Sequence, residues 1–87
     1  MSVFLAWVSD EPDQPIGPWS DVRPIAPGLL LLESDESLSA VYHALKWALP
    51  ETAALIVTPV EQTPKSRGMA PGTTAWLRSR TRPGHAG

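Results

Sequence analysis

At 87 residues and 9.4 kDa, with no cysteine and a net charge of −2, the chain is sized for one domain around a single core. The missing thiols exclude a disulfide framework and any thiolate metal site, and in so small a chain they point to the cytoplasm rather than to secretion. Ten prolines and six glycines leave room for few ordered elements, joined by long connections.

Met1 to Val8 has no basic stretch before its apolar run, and neither this run nor Leu29 to Leu32 approaches the roughly 20 residues of a membrane span. A soluble chain without a membrane partner is expected. Charge is unevenly placed: residues 1–61 carry nine acids and two bases (Arg23, Lys46), a net −7, while residues 62–87 carry five bases and no acid, a net +5. Such a split is the usual trace of a basic segment that meets nucleic acid, an acidic partner or the chain's own acidic face.

Val3 to Val8 is β-branched and aromatic with apolar residues on both alternating faces, which suits a strand in the middle of a sheet. Residues 9–27 hold five prolines and show neither helical nor strand period, so they read as a loop. Within it Pro12, Pro15 and Pro18 recur every third residue, the spacing of one polyproline II ridge. The plainer reading is a stiffened loop, and the flanking Asp10, Glu11 and Asp13 supply no basic anchor. Trp19 then tucks the loop onto the domain.

The organising stretch runs from Gly28 to Val60. Leu29 to Leu32 lacks alternation, as expected of a strand buried on both faces. Ser34 or Asp35 is placed to cap a helix over residues 36–49. Its apolar stripe includes Leu38, Val41, Tyr42 and Leu45, expected to pack on Leu30, Leu32, Leu55 and Val57, and Pro50 ends it. Ala53 to Val60 reads as another strand, with Pro59 marking an edge or a terminus. A connector over 61–72 leads to a short helix started by Thr73 or Thr74.

The expected fold is α/β: a small three-stranded mixed sheet with a βαβ crossover unit, one main helix and a short C-terminal helix. Residues 1–80 form the domain and 81–87 a disordered tail. At the level of topology alone this resembles half of a ferredoxin-like sandwich, a likeness that names no function.

Trp47 is the most informative single residue. At 100° per residue it falls about 180° from Leu38, outside the core stripe, on a line with Glu36, Ala40 and His43. Either this stripe is a partner surface, since tryptophan is enriched at binding hot spots, or the segment around Trp19 or Trp76 folds over it. His43 as a general base would need an orienting carboxylate and a nucleophile beside it, and a solvated helix histidine is the ordinary case. With only His43 and His85 and no cysteine, no zinc site is expected.

Glu33, Asp35, Glu36 and Glu61 all fall at strand ends, where carboxylates can hold a cation; helix capping and solvation already account for them. Lys65 and Arg67 precede the last helix as anion candidates, without the spacing of a phosphate loop. Arg78, Arg80 and Arg82 could track phosphates, with Trp76 stacking a base. No catalytic, cofactor or metal residue is assigned. The expectation is a small non-enzymatic protein-interaction module, self-associating or docking a protein partner through Glu36, Ala40, His43 and Trp47. Nucleic-acid binding through the basic C-terminal third is the alternative.

Overall fold

The protein is described by a computed structural model covering residues 1–10, 12 and 15–83. Among these the order is β1 (Ser2–Val8), β2 (Asp21–Ala26), β3 (Leu29–Ser34), α1 (Leu38–Ala48), β4 (Leu55–Val60) and α2 (Thr73–Arg78). The strands make one sheet in the order β2-β3-β1-β4, every neighbouring pair antiparallel.

The class is α/β with two helices, but the sheet is four-stranded and antiparallel rather than three-stranded and mixed. The main correction concerns the crossover unit. Strands β3 and β4 run the same way without touching, because β1 lies between them and pairs with both. This is a split βαβ arrangement, and a central position suits a strand whose residues are apolar on both sides.

The added strand is β2, inside the segment expected to be a loop. Its proline proves harmless. Val8 N donates to Gly28 O at 2.8 Å, so the even-numbered residues of β3 turn their polar backbone toward β1 and the odd-numbered ones toward β2. Pro24 sits opposite Leu30, and its nitrogen therefore faces the open edge, where no hydrogen bond is lost. Pro27 and Gly28 close the β2–β3 hairpin. Gly28 has φ +73° and an added Cβ would come within 2.6 Å of Val8 O, so glycine is required there.

One face of the sheet packs on α1. Val41 and Leu45 are fully buried against Phe4, Ala6, Leu30 and Leu32, with Leu55, Val57, Trp19 and Val22 half-buried around them. Leu38 and Tyr42, expected in this core, are 40% and 36% exposed. The helix points a direction between Val41 and Leu45 at the sheet, which leaves Tyr42, about 80° away, on its flank, while Leu38 is the first residue of the helix. The cap also differs. Ser37 is the N-cap, accepting from Ala40 N at 3.1 Å. Ser34 is instead buried at the end of β3, where its hydroxyl donates to Pro18 O and accepts from Glu36 N.

The opposite face packs on α2 through Val3, Ile25, Leu31, Trp76 and Leu77. Past α2, Thr81 and Arg82 make contacts with the domain. Thr81 Oγ1 donates to Leu77 O at 2.6 Å, and Arg82 pairs by its backbone with Glu61 and Thr63. The polyproline reading spans Glu11, Asp13 and Gln14, and the tail reading includes 84–87; these lie outside the described residues. No helix among the described residues is long and apolar enough to cross a membrane.

Leu45→Ala is expected to lower the free energy of unfolding by about 2–5 kcal/mol, whereas Tyr42→Ala, on the flank, should lower it by less than about 1.5 kcal/mol. Denaturant titration of the two variants measures the contrast; equal losses would mean that the helix is rotated from the position described.

Candidate interaction surfaces

Helix α1 presents an outer face that nothing in the described chain covers. Trp47 is 86% exposed and His43 is exposed, while Ala40 is half-buried. Glu36 precedes the cap residue Ser37, so it is exposed beside this face rather than placed on it by helical geometry. Both segments that might have folded over Trp47 are engaged elsewhere. Trp19 packs against the α1-side core and donates to Pro15 O at 3.1 Å; its ring lies so close to Gly17 that a Cβ there would meet it at 2.3 Å. Trp76 is buried on the other side of the sheet.

Next to Trp47, a groove of about 580 Å³ opens between the end of α1 and the start of β4, lined among others by Tyr42, Leu49, Pro50, Ala53 and Leu55. The tryptophan and the groove form one surface, which Lys46 and Glu51 also line. His43 meets Tyr42 edge-on, ring centres 5.3 Å apart, and no described carboxylate forms an ion pair with it.

The basic C-terminal third turns inward at two of its named residues. Trp76 is only 6% exposed, and its indole N–H donates to Asp21 Oδ2 at 2.8 Å. The Arg80 guanidinium lies 4.3 Å over the Trp76 ring and donates to Trp76 O and Ser79 Oγ. It is also 3.8 Å from Asp21 Oδ2 and, at Nε, 3.4 Å from Glu33 Oε1, close enough for charge attraction though not aligned as a hydrogen bond. Trp76 therefore has no free face on which to stack a base. Lys65, Arg67, Arg78 and Arg82 remain exposed.

The strand-end acids do not converge. Glu33 is engaged by Arg80 and by Ser20 Oγ at 3.2 Å, and Asp35 lies 3.6 Å from the Met1 amino group in an exposed pair. Among the described residues no three potential metal ligands come together. Two exposed apolar residues escaped the sequence reading: Trp7 and Ile56, 45% and 64% exposed, are cross-strand partners on the α2 side of the sheet, beyond the reach of that short helix. Alternation in β1 and β4 assigns both to one face; only the length of α2 leaves them uncovered.

Comparison with known proteins finds no match of the chain to a family model, to a curated protein or to a solved structure.

Arg80→Met keeps an apolar stem over Trp76 but leaves the acids Asp21 and Glu33 opposite each other in register. It is expected to destabilise the fold by about 1–2 kcal/mol at low ionic strength, and by less in about 1 M salt, where like charges are screened. Unfolding curves at the two salt concentrations, with Asp21→Asn added to restore part of the loss, test the arrangement.

Proposed function

We propose that this chain is a small non-enzymatic interaction module that docks a protein partner through the outer face of α1, centred on Trp47. The observation that carries the reading is a tryptophan left 86% exposed on a helix whose other face is anchored in the core, beside a groove lined by Tyr42, Leu49 and Leu55. Burying one such side chain removes about 150–250 Å² from water, or about 4–6 kcal/mol at 25 cal/mol/Å² before the cost of association is subtracted. A rigid helix adds little ordering cost to that sum, which is why aromatic anchors on helices make effective hot spots.

Nucleic acid is the weaker reading. Arg80 and Trp76 serve the chain's own acidic strands, and the body that carries the remaining exposed bases is net acidic, which opposes long-range attraction of phosphate. Anisotropy of a labelled single strand at low salt separates the two readings: only a nucleic-acid binder would show affinity that falls steeply with salt.

Trp47→Ala should leave unfolding within about 0.5 kcal/mol of the wild type, as expected for a surface change, while weakening association with the docked protein by about 2 kcal/mol or more, roughly 30-fold. Quantitative capture from native lysate on immobilised wild type and variant, followed by titration of the retained protein, measures this. Identical retention by both chains would remove the helix face as the docking site.

A further inference from the structure

We infer that the open part of the β4 edge is a pairing site for a second copy of this chain, which joins two sheets into one of eight strands about a two-fold axis at Ile56. The inference goes beyond the helix face at Trp47 and either can fail without the other.

The sheet has two edges, and they are treated differently. Along β2, Ala70 N donates to Ile25 O at 2.9 Å and Arg23 Nη2 to Pro71 O at 3.0 Å, so the connector covers the Ile25 end of that edge, and Pro24 beside it has no N–H to offer. Along β4, Ser9 N donates to Ala54 O at 3.0 Å, and the register continues through Trp7↔Ile56 and Leu5↔Thr58. Hydrogen bonds in an antiparallel pair alternate, so Ala54, Ile56, Thr58 and Val60 turn their backbone groups to β1. Leu55, Val57 and Pro59 turn theirs outward.

The outer row is closed at its far end by the chain itself: Arg82 N donates to Glu61 O at 3.0 Å and Thr63 N to Arg82 O at 2.7 Å. Pro59 has no N–H to offer. What remains open among the described residues is a window of two donors and two acceptors at Leu55 and Val57. Edge strands are commonly protected by charge, a bulge or a covering segment, and Leu55–Val60 carries no charged residue.

That window complements itself. With the axis at Ile56, Leu55 of each copy opposes Val57 of the other, and the two residues exchange both of their bonds, four in all across the seam. The pairing stops where Pro59 begins. The two Ile56 side chains then meet on the α2 side of the sheet, each beside its own Trp7, and the exposed pair of each copy becomes a continuous apolar row. On the other side Leu55 and Val57 extend the layer under Tyr42. Because the strand is uncharged, the axis brings no like charges together. With Trp7 only 45% and Ile56 64% exposed before pairing, the flanks and strand bury less than the roughly 1,200 Å² at which standard specific interfaces begin. The dimer is therefore weak and reversible, and an isologous contact closes at two copies.

Sedimentation equilibrium from about 10 µM to 1 mM is expected to show a monomer shifting toward dimer. The shift should be lost in Ile56→Lys, which sets two ammonium groups at the axis, and in Val57→Pro, which removes the outward N–H as Pro59 already does two residues on. The chain has no cysteine, so oxidised Ile56→Cys reads the register directly: facing Cα atoms about 4.5 Å apart suit a disulfide, whereas Thr58→Cys places its thiols roughly 13 Å apart and should stay monomeric. Circular dichroism confirms that each variant is folded. A wild type that stays monomeric up to 1 mM overturns the inference and leaves the edge to a different extended peptide or to none. So does equal cross-linking through residues 56 and 58, or a dimer that survives both edge substitutions and is lost only with Trp47→Ala, which would place the contact on the helix face instead.

Discussion

Arg80 stands where two acidic strands and the last helix meet, and the second face of the sheet depends on it. Asp21 and Glu33 are direct cross-strand partners, and like charges so placed repel. The guanidinium sits against both carboxylates and over the ring of Trp76, whose own N–H is given to Asp21. Helix α2 has only six residues, far too few to form by itself. It is held because Trp76 and Leu77 bring apolar area to Val3, Ile25 and Leu31, while Arg80 relieves the repulsion beside them. The charge division along the chain is thus partly an internal account of the fold: part of the basic third belongs to the acidic strands.

Covering both faces of a sheet with one helix of eleven residues and one of six leaves a shortfall, and its location is informative. The longer helix covers the middle of its face and leaves Trp47 and Tyr42 looking outward. The shorter one reaches Val3 and Leu31 but not Trp7 or Ile56. What is left apolar and open on the two faces of the sheet gathers beside β4, an edge strand whose outer side is partly unpaired among the described residues.

Much of this was legible from local pattern. The 100° arithmetic that set Trp47 opposite the core holds because it needs only the helix itself, and the apolar runs of β1, β3 and β4 were long enough to stand out against their surroundings. The second strand was hidden by Pro24, since a proline argues against a strand unless its nitrogen faces an edge, and which side is the edge depends on pairing with Leu30. Yet Pro27 and Gly28 between Ile25 and Leu29 are a turn signal with apolar residues on both sides, and they mark the hairpin that pairing completes. The sheet order was not written locally. Nor were the interior roles of Trp76 and Arg80: the indole meets Asp21 across 55 residues of chain, and the same residue types in an extended segment would suit phosphate and base equally well. Leu38 and Tyr42 share the helical stripe, but the width of the sheet beneath decides how much of a stripe is covered.

The central strand precedes both of its neighbours in the chain, so neither of them exists when it leaves the ribosome. Strand β1 gains its first partner only after residue 34 is available and its second only after residue 60. Before residue 34 a strand with apolar side chains on both faces has two unpaired edges and before residue 60 it still has one, the state in which intermolecular strand pairing competes with folding. Pairings so distant in sequence also close large loops and slow the search for the native state. The order of synthesis and the order of assembly are therefore opposed here, and the nascent chain has to keep its first strand apart from other chains until its last strand is made.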